Sequence, residues 1–426
     1  MTFLLNSRRF YTFILWLLLP YVALHLLWRA RKQPEYLQYV GERFGRYSAL
    51  AERPVIWLHT VSVGETRAAA NLIEQLQKAY PQHQLLLTHT TPTGRAAGEQ
   101  LYGDSMLRVY LPYDYPFAVE RFLRHFKPSL GILLETEIWF NLIHACHIKK
   151  IPLLLLNARL SEKSAARYAK FPRLTQLGLT ELSAIAAQTK DDAARLKRLG
   201  APQVAIMGNL KFDIDPPAEM LKLGEKLRTL FGRNRKIFLA ASTRPGEEAL
   251  LLEIIPHINI AGLLTIIVPR HPQRFDEVAT LLAQHKINFQ RRSANVPIQT
   301  ETQVVLGDSM GEMFAYYAAC DMAFIGGSLL PFGGQNLIEA CSVGKPVLIG
   351  EHTFNFAQAC EQAVECGAAI RIKSVTELAH ELQNLFADTE QAKSISQAAL
   401  KFVAAHRGAT QQALTHIKPF LPLSLQ

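Results

Sequence analysis

The sequence predicts an α/β protein built from two doubly wound domains. Short apolar runs alternate with helical patterns along most of the chain, which is typical of parallel sheets covered by helices on both faces. Two series of such runs are separated by a polar stretch that contains Pro216 and Pro217. A chain of 426 residues, 49% of them hydrophobic, is long enough to form two buried cores.

The chain begins with a different kind of segment. Phe10 to Trp28 contains no charged residue, and about 20 apolar residues are needed to cross a bilayer core. We predict a membrane anchor in residues 1–32, either spanning or monotopic. A cleaved signal peptide is the alternative, although its apolar region is normally shorter and no A-x-A site follows. Basic residues follow instead, and the positive-inside rule favours a cytoplasmic body.

The formal net charge of +10 raises the question of an acidic partner. Nucleic acid is the usual partner of such a chain, but no zinc finger, RRM motif or basic-aromatic stripe is present. With a membrane anchor, anionic lipid head groups are the more economical partner. A basic, solvated surface without a specific partner is the alternative.

Two domains follow the anchor in our prediction. The first, residues 33–210, contains candidate strands at 55–59, 84–90, 107–112, 130–135, 152–157, 184–189 and 203–208. The second, residues 211–400, contains candidate strands at 236–243, 263–270, 302–308, 322–328, 345–350 and 368–373. Residues 401–426 are predicted to form a helical segment that packs back on the first domain.

Polar clusters follow nearly every predicted strand. In doubly wound sheets, ligands bind outside the carboxyl ends of the strands, and two such sheets predict a cleft. In "TVSVGE", which follows the first strand, Glu65 begins a helical pattern. Its carboxylate could satisfy the helix dipole, or it could face the cleft and accept a proton.

The strand ends of the second domain predict a nucleotide site. "GGSLLPFGGQNLIEA" places glycines before a helix whose first turn is expected to hold Asn336 and Glu339. Backbone N–H groups there would attract a phosphate, and Glu339 could accept the hydroxyls of a ribose. "GDSMGEM" repeats this design, and Arg270 in "VPRHPQR" could bind a phosphate or a carboxylate. The chain has no Walker A motif and no G-x-G-x-x-G after the first strand of either half, which disfavours NTPases and dinucleotide oxidoreductases.

These motifs together resemble one known family. "VSVGETRAA", "LETEIWFNLI", "NARLSEKS", "GNLKFD", "VPRHPQRF", "GDSMGEM", "GGSLLPFGGQNLIEA" and "GEHTFNF" are similar to motifs of the 3-deoxy-D-manno-octulosonic acid (Kdo) transferases of Gram-negative bacteria. The resemblance implies a GT-B fold of two Rossmann-like domains. It also implies CMP-Kdo as donor, a lipid A precursor (lipid IVA) as acceptor, inverting transfer without a metal or other cofactor, and a place at the cytoplasmic face of the inner membrane.

The resemblance also implies roles for individual residues. Glu65 matches the family's general base, and Glu135 and Lys211 match positions that stabilise the transition state. The expected CMP contacts are Pro269, Arg270, Met310, Gly311, Glu312, Asn336, Leu337, Ile338 and Glu339. The last motif departs from the family pattern, because Gln335 replaces a His and Leu337 replaces a Pro.

Two other functions remain as alternatives. One is a GT-B transferase that uses a UDP-sugar in envelope biosynthesis, and the other is a non-catalytic, membrane-anchored nucleotide-binding protein. Asp213 and Asp215 spell D-x-D, the metal-diphosphate motif of another transferase class. Because CMP-Kdo has no diphosphate to chelate, we interpret these acids as loop residues and predict no metal site.

Overall fold

A computed structural model describes residues 7–421 of the chain. Residues 1–6 of the predicted anchor and residues 422–426 of the predicted C-terminal segment lie outside the described residues. The chain divides into two compact units. The first contains the chain up to Asp213 and the segment from Arg407 onward, and the second is Ile214–His406. The boundary predicted at residue 400 is therefore misplaced, since it falls inside a continuous helix of the second unit, Thr389–His406.

The first unit contains a sheet of seven parallel strands in the order β3-β2-β1-β4-β5-β6-β7. These strands lie at the seven predicted positions: β1 Val55–His59, β2 Gln84–His89, β3 Leu107–Tyr110, β4 Pro128–Leu134, β5 Leu153–Ala158, β6 Ala184–Ala187 and β7 Ala205–Ile206. The strand order reverses between β1 and β4, which are direct neighbours. A doubly wound sheet forms a crevice at that point, outside the carboxyl ends of its strands.

Helices cover both faces of this sheet. They are α1 Arg8–Lys32, α2 Val63–Ala68, α3 Ala70–Ala79, α4 Pro92–Tyr102, α5 Pro116–Phe126, α6 Phe140–Ile148, α7 Glu162–Tyr168, α8 Pro172–Glu181 and α9 Lys190–Arg198. Alternate residues of β1 point to opposite faces: Trp57 packs in the apolar layer that includes Phe122, and Leu58 packs in the layer that includes Leu72. Both layers exclude water, so the polar residues of the unit concentrate at the edges of the sheet.

Helix α1 is attached to the first unit by side-chain hydrogen bonds. The Tyr11 hydroxyl donates to Asp114 (2.9 Å), and Arg8 and Thr12 both donate to the Asn141 side-chain oxygen, at 3.0 and 2.9 Å. Burial raises the pKa of the Asp114 carboxyl to about 7. The first turns of α1 are therefore part of the folded body.

The opposite face of α1 is apolar and exposed. Within residues 7–421, Arg8–Arg31 is the one helix long and apolar enough to cross a membrane, with a mean hydropathy of 1.9. Its large exposed side chains are Phe13, Trp16, Leu17, Leu18, Tyr21, Leu24, Leu27 and Trp28. Length and composition alone make this helix a candidate membrane segment.

The second unit contains another sheet of seven parallel strands, in the order β10-β11-β9-β8-β12-β13-β14. The strands are β8 Ile237–Thr243, β9 Leu264–Pro269, β10 Phe289–Arg291, β11 Val304–Leu306, β12 Met322–Ile325, β13 Val347–Ile349 and β14 Ala369–Arg371. The sequence predicted six of them and missed β10. This edge strand has three half-buried residues, Phe-Gln-Arg, so it lacks the apolar run of a buried strand.

Eight helices of the second unit and one later helix complete the fold. They are α10 Ala218–Phe231, α11 Glu247–Ile254, α12 Phe275–Gln284, α13 Met313–Ala319, α14 Ile338–Ser342, α15 Ala357–Glu365, α16 Val375–Ala387, α17 Thr389–His406 and α18 Ala409–Ile417. Short 3-10 turns lie at Pro34–Leu37, Val40–Phe44, Gly103–Ser105, Leu210–Phe212, Ile255–His257, Pro272–Arg274 and Arg292–Ala294. Helix α18 packs in the first unit, against α3, β5 and β6.

Candidate active site

Glu65 is the third residue of α2, directly after the turn that follows β1, and its side chain caps the helix. The carboxylate accepts hydrogen bonds from the Val61 backbone N–H (2.7 Å) and the Ser62 hydroxyl (3.0 Å). Ser62 in turn accepts from the Glu65 backbone N–H, at 3.5 Å. This arrangement is close to a capping box, in which a Ser and a Glu three residues later satisfy the first N–H groups of a helix. These hydrogen bonds fix the carboxylate at the carboxyl edge of β1.

Glu135 and Lys211 form an ion pair at the same edge of the sheet. The Lys211 ammonium lies 3.2 Å from the Glu135 carboxylate, with side-chain exposures of 18% and 20%. Glu135 directly follows β4 and has a left-handed backbone with φ +59°, which non-glycine residues adopt mainly where the surroundings enforce it. Lys211 lies in the turn Leu210–Phe212, and the Asn157 side chain at the end of β5 accepts the Leu210 N–H at 3.1 Å.

The structure brings Glu65 and Glu135 close enough to interact electrostatically. Burial, and after it the negative charge of Glu135, raise the pKa of Glu65 from its ordinary value to about 7. The hydrogen bonds from Val61 and Ser62 act in the opposite direction. A carboxyl group with a pKa near neutrality can accept a proton and still release it, which is the property that a general base needs.

Two further residues at this edge were missed by the sequence prediction. His59, the last residue of β1, is fully buried, and its Nδ1 lies 2.9 Å from the Thr88 hydroxyl. Its Nε2 lies 3.7 Å from Glu137, whose carboxylate also accepts the Trp139 indole N–H at 2.6 Å. His59 ends the first predicted strand, and Glu137 stands in the motif "LETEIWFNLI". Their pairing depends on the neighbouring ends of β1 and β4, which the sequence alone does not bring together.

In the second unit, Arg270 directly follows Pro269, the last residue of β9. Its Nε donates to the Gln335 side-chain oxygen at 3.1 Å. Gln335 is one of the two departures from the family pattern, and here it orients the arginine expected to bind donor. Pro269 itself is buried, so contact with a ligand through this residue would come mainly from its backbone.

Residues 310–312 form a tight turn before α13. Gly311 has φ +80°, which glycine adopts without strain, and Met310 beside it is 53% exposed. The Glu312 carboxylate is held by Arg292 (3.3 Å) and by the Ser309 hydroxyl (2.6 Å). Helix α13 has only seven residues, so the expected attraction of a phosphate by its dipole is weak.

The loop before α14 differs from the prediction. Asn336 precedes the helix rather than lying in its first turn, and its side chain accepts the Ile338 N–H (3.1 Å) while donating to Glu339 (3.1 Å). Helix α14 has only five residues, and its dipole is correspondingly small. Leu337 and Ile338 are fully buried, so neither residue exposes a surface to a nucleotide.

Asp213, the first acid of the D-x-D sequence, has a structural role. Its carboxylate accepts the backbone N–H groups of Gly408 (2.7 Å) and Thr410, at the start of α18. Across residues 7–421, no group of three or more His, Cys, Asp or Glu side chains is arranged to hold a metal ion. Asp213 therefore caps a helix, as acids near helix N-termini commonly do.

Comparison with known proteins identifies the family. A family profile described as "3-Deoxy-D-manno-octulosonic-acid transferase (kdotransferase)" matches residues 38–214, and "Glycosyl transferases group 1" matches residues 283–402. The 3-deoxy-D-manno-octulosonic acid transferase of Haemophilus influenzae is 38% identical over 97% of this chain and 99% of its own length. The transferase of the same name from Bordetella pertussis is 39% identical over 97% of this chain and 100% of its own length.

This chain belongs to the 3-deoxy-D-manno-octulosonic acid transferase family. It is therefore a glycosyltransferase, and the resemblance noted from its motifs is confirmed. A solved glycosyltransferase from Rickettsia africae is 15% identical, covers 88% of this chain and 100% of its own, and superimposes with a TM-score of 0.59. That similarity shows the fold, two Rossmann-like units of the GT-B class.

Membership in this transferase family gives the strand-end groups a chemical context. Glycosyl transfer requires a group that removes a proton from the acceptor hydroxyl and groups that stabilise developing charge. In this Kdo transferase the carboxyl edge of the first sheet holds a carboxyl of pKa about 7, Glu65, beside the pair of Glu135 and Lys211.

Proposed function

We propose that this enzyme transfers Kdo from CMP-Kdo to a lipid A precursor, lipid IVA, in lipopolysaccharide core biosynthesis. The main support is the cluster of Glu65, Glu135 and Lys211 at the point where the strand order of the first sheet reverses. The names of the similar transferases support the transferred sugar. The donor and the acceptor are inferred from the motifs that the chain shares with the family.

Glu65 acts as the general base in the proposed reaction. The acceptor hydroxyl attacks the anomeric carbon of Kdo while its proton passes to the Glu65 carboxylate. The bond from that carbon to the phosphate oxygen breaks, and CMP leaves with the bonding electrons, so the configuration inverts. A base with a pKa near the working pH combines a large ionised fraction with adequate proton affinity.

The ion pair of Glu135 and Lys211 stabilises the charges that develop during transfer. The sugar gains positive, oxocarbenium character, which the Glu135 carboxylate stabilises, and the leaving CMP gains negative charge, which the Lys211 ammonium stabilises. The two groups lie 3.2 Å apart. Each holds the other in place, so little reorganisation is needed when the charges form.

The second unit binds the CMP group in this proposal. Arg270, oriented by Gln335, binds an anionic oxygen of the donor. Glu339, oriented by Asn336, accepts the ribose hydroxyls. Pro269, Leu337 and Ile338 are buried and support the loops by packing, and the Met310-to-Glu312 turn contributes a further wall. The reaction needs no metal, because the leaving group has a single phosphate.

We infer a monotopic attachment to the cytoplasmic face of the inner membrane, where anionic lipids contact the basic surface. The first turns of α1 are hydrogen-bonded to the body. At the other end Leu26 and Ala30 are buried, and the Arg29 guanidinium lies 5.1 Å from the Tyr36 ring centroid. Between these contacts, the 13 residues from Phe13 to His25 extend only about 20 Å, which is short of the roughly 30 Å hydrocarbon core. A helix attached at both ends lies along the membrane surface with its apolar face in lipid.

A transfer assay with the full-length enzyme in detergent tests the proposal. The enzyme is incubated with tetra-acylated lipid A precursor and CMP-Kdo, and the product is analysed by mass spectrometry. We expect addition of Kdo to the acceptor. Transfer only from a UDP-sugar would support the first alternative, and nucleotide binding without any transfer would support a non-catalytic protein.

A further inference from the structure

We propose that Arg244 is an additional donor-binding residue, which holds an oxyanion of the sugar nucleotide, either its phosphate or the carboxylate of its sugar acid. This inference rests on the proposed function and extends it to a residue outside the motifs matched above. Arg244 follows β8 directly, in the sequence "STRPGEE". It is half-buried in the second unit.

The position of Arg244 is the point where ligands bind in this class of sheet. Strand β8 lies between β9 and β12, where the strand order of the second sheet reverses. The Arg244 guanidinium lies 4.8 Å from the ring centroid of Phe332, in the loop after β12. Its Nη1 hydrogen-bonds His271, in the loop after β9. One cation thus connects the loops that follow three adjacent strands, beside the crevice expected at a reversal of strand order.

The two acids that begin α11, Glu247 and Glu248, already have other hydrogen-bond partners. Glu247 accepts the backbone N–H groups of Arg244 (2.9 Å), Gly327 (2.6 Å) and Leu329 (3.0 Å). The other acid, Glu248, is held by Arg274 through two hydrogen bonds, at 2.6 and 3.0 Å. Neither carboxylate neutralises the Arg244 guanidinium.

The hydrogen bonding of Arg244 is incomplete in the described part of the chain. No carboxylate forms an ion pair with it there, and its buried Nε has no hydrogen-bond partner. The Arg244 guanidinium donates to His271 Nε2, and burial and three neighbouring arginines lower the pKa of this imidazole, which favours its neutral form. A buried guanidinium N–H without an acceptor is costly, and a ligand oxygen would satisfy it.

The loop after β12 passes close to the Arg244 side chain. Gly327 has φ +72°, and a Cβ there would come within 3.2 Å of the Arg244 Cγ and 3.3 Å of the Gln335 Nε2. Glycine therefore lets the loop pass close to the two side chains. Gln335 holds Arg270 on the other side. A planar guanidinium in such a position presents paired N–H groups that match a phosphate or a carboxylate.

Calorimetric titration of the full-length enzyme in detergent tests this inference. CMP-Kdo, CMP and cytidine are titrated into the parent enzyme and into Arg244→Gln, Arg244→Lys and Arg233→Gln. Arg233 is an exposed arginine of the same unit and provides the matched control. We expect Arg244→Gln to weaken CMP-Kdo binding by about tenfold or more, because a charged hydrogen bond is lost. Arg244→Lys should restore part of the loss, and Arg233→Gln should bind like the parent.

The three ligands identify the oxyanion. Weakened binding of both CMP and CMP-Kdo, with cytidine unchanged, assigns Arg244 to the phosphate. Weakened binding of CMP-Kdo alone assigns it to the sugar carboxylate. Unchanged binding of all three ligands by Arg244→Gln, or an equal loss for cytidine, overturns the inference and leaves the proposed function intact. A parent enzyme that binds none of the three overturns both.

Discussion

The pH dependence of sugar transfer should follow the ionisation of Glu65. Burial and the charge of Glu135 raise the pKa of this carboxyl to about 7, and only the ionised form can accept the acceptor's proton. We expect kcat/KM to level off above neutrality and to fall with pH below it. At about pH 5.5 roughly 3% of the carboxyl groups would be ionised, whereas an ordinary glutamate would be more than 90% ionised. The structure therefore predicts about a 30-fold loss of activity that an unperturbed base would not show.

The substitution Glu65→Gln tests the assignment directly. The amide oxygen can still accept one of the two capping hydrogen bonds, so we expect the fold and CMP binding to persist. Turnover should fall by about 10²–10⁴-fold, which is the usual contribution of a general base. Glu74→Gln is the matched control, because Glu74 is exposed and pairs with Lys78 on the surface of α3. A parent profile with its acidic midpoint near 4–5, or a variant within threefold of parental turnover, would refute the reasoning.

The same raised pKa predicts that ionisation of Glu65, which the reaction requires, lowers the stability of the folded enzyme. Because the folded-state pKa of Glu65, about 7, exceeds its ordinary value of 4.5, this group favours the folded state at low pH. That contribution is lost as the pH rises through about 7. Glu65→Gln should therefore melt at a higher temperature than the parent at about pH 8, with a smaller difference near pH 5. Thermal unfolding at the two pH values measures this, and a larger gain at the lower pH would contradict it.

Three further substitutions test other contacts. Glu135→Gln should move the acidic midpoint of the pH–rate profile to lower pH, because it removes the like charge that raises the pKa of Glu65. An unmoved midpoint would show that the charge of Glu135 does not affect the ionisation of Glu65. Asp213→Asn should cost about 0.5–2 kcal/mol of stability, because it weakens the cap of α18, and turnover of both parent and variant should survive EDTA. Chelator-sensitive turnover that magnesium restores would make the D-x-D acids metal ligands. Tyr11→Phe should destabilise the detergent-solubilised enzyme by about 1–3 kcal/mol, because it leaves the buried Asp114 one donor short; an unchanged melting temperature would count against docking of α1.

The sheets were predictable because their strands are continuous apolar runs. The seven predicted strands of the first unit lie where they were expected. The residues of β1, β2, β4 and β5 are almost all buried, whereas the edge strand β7 is partly exposed. Strand β10 is an edge strand with Gln290 and Arg291, so neither apolarity nor alternation marks it. The domain boundary predicted at residue 400 was misplaced, because the helical pattern of α17 continues past that residue without a breaker until Gly408.

Motifs name the residues of the candidate site, but they do not give the contacts of those residues. Glu65, Glu135 and Lys211 were named from motifs, but the Lys211–Glu135 pair depends on Asn157 holding the turn that bears the lysine. Asp213 stands in a motif-like sequence, yet its carboxylate is occupied by N–H groups from residues 408 and 410. Such long-range contacts depend on the tertiary fold and have no local sequence pattern.

The capping contacts of Glu65 and its proposed role as a base are compatible. A carboxylate has about four lone-pair positions on its two oxygens, and the described contacts, from Val61 and Ser62, use one on each oxygen. The cap therefore fixes the orientation of the side chain and leaves lone pairs that can take a proton. The same hydrogen bonds lower the pKa while burial and Glu135 raise it, and the balance lies near neutrality. A solvated loop glutamate would have neither the fixed geometry nor the raised proton affinity, so the capping turn is what makes Glu65 suited to act as a base.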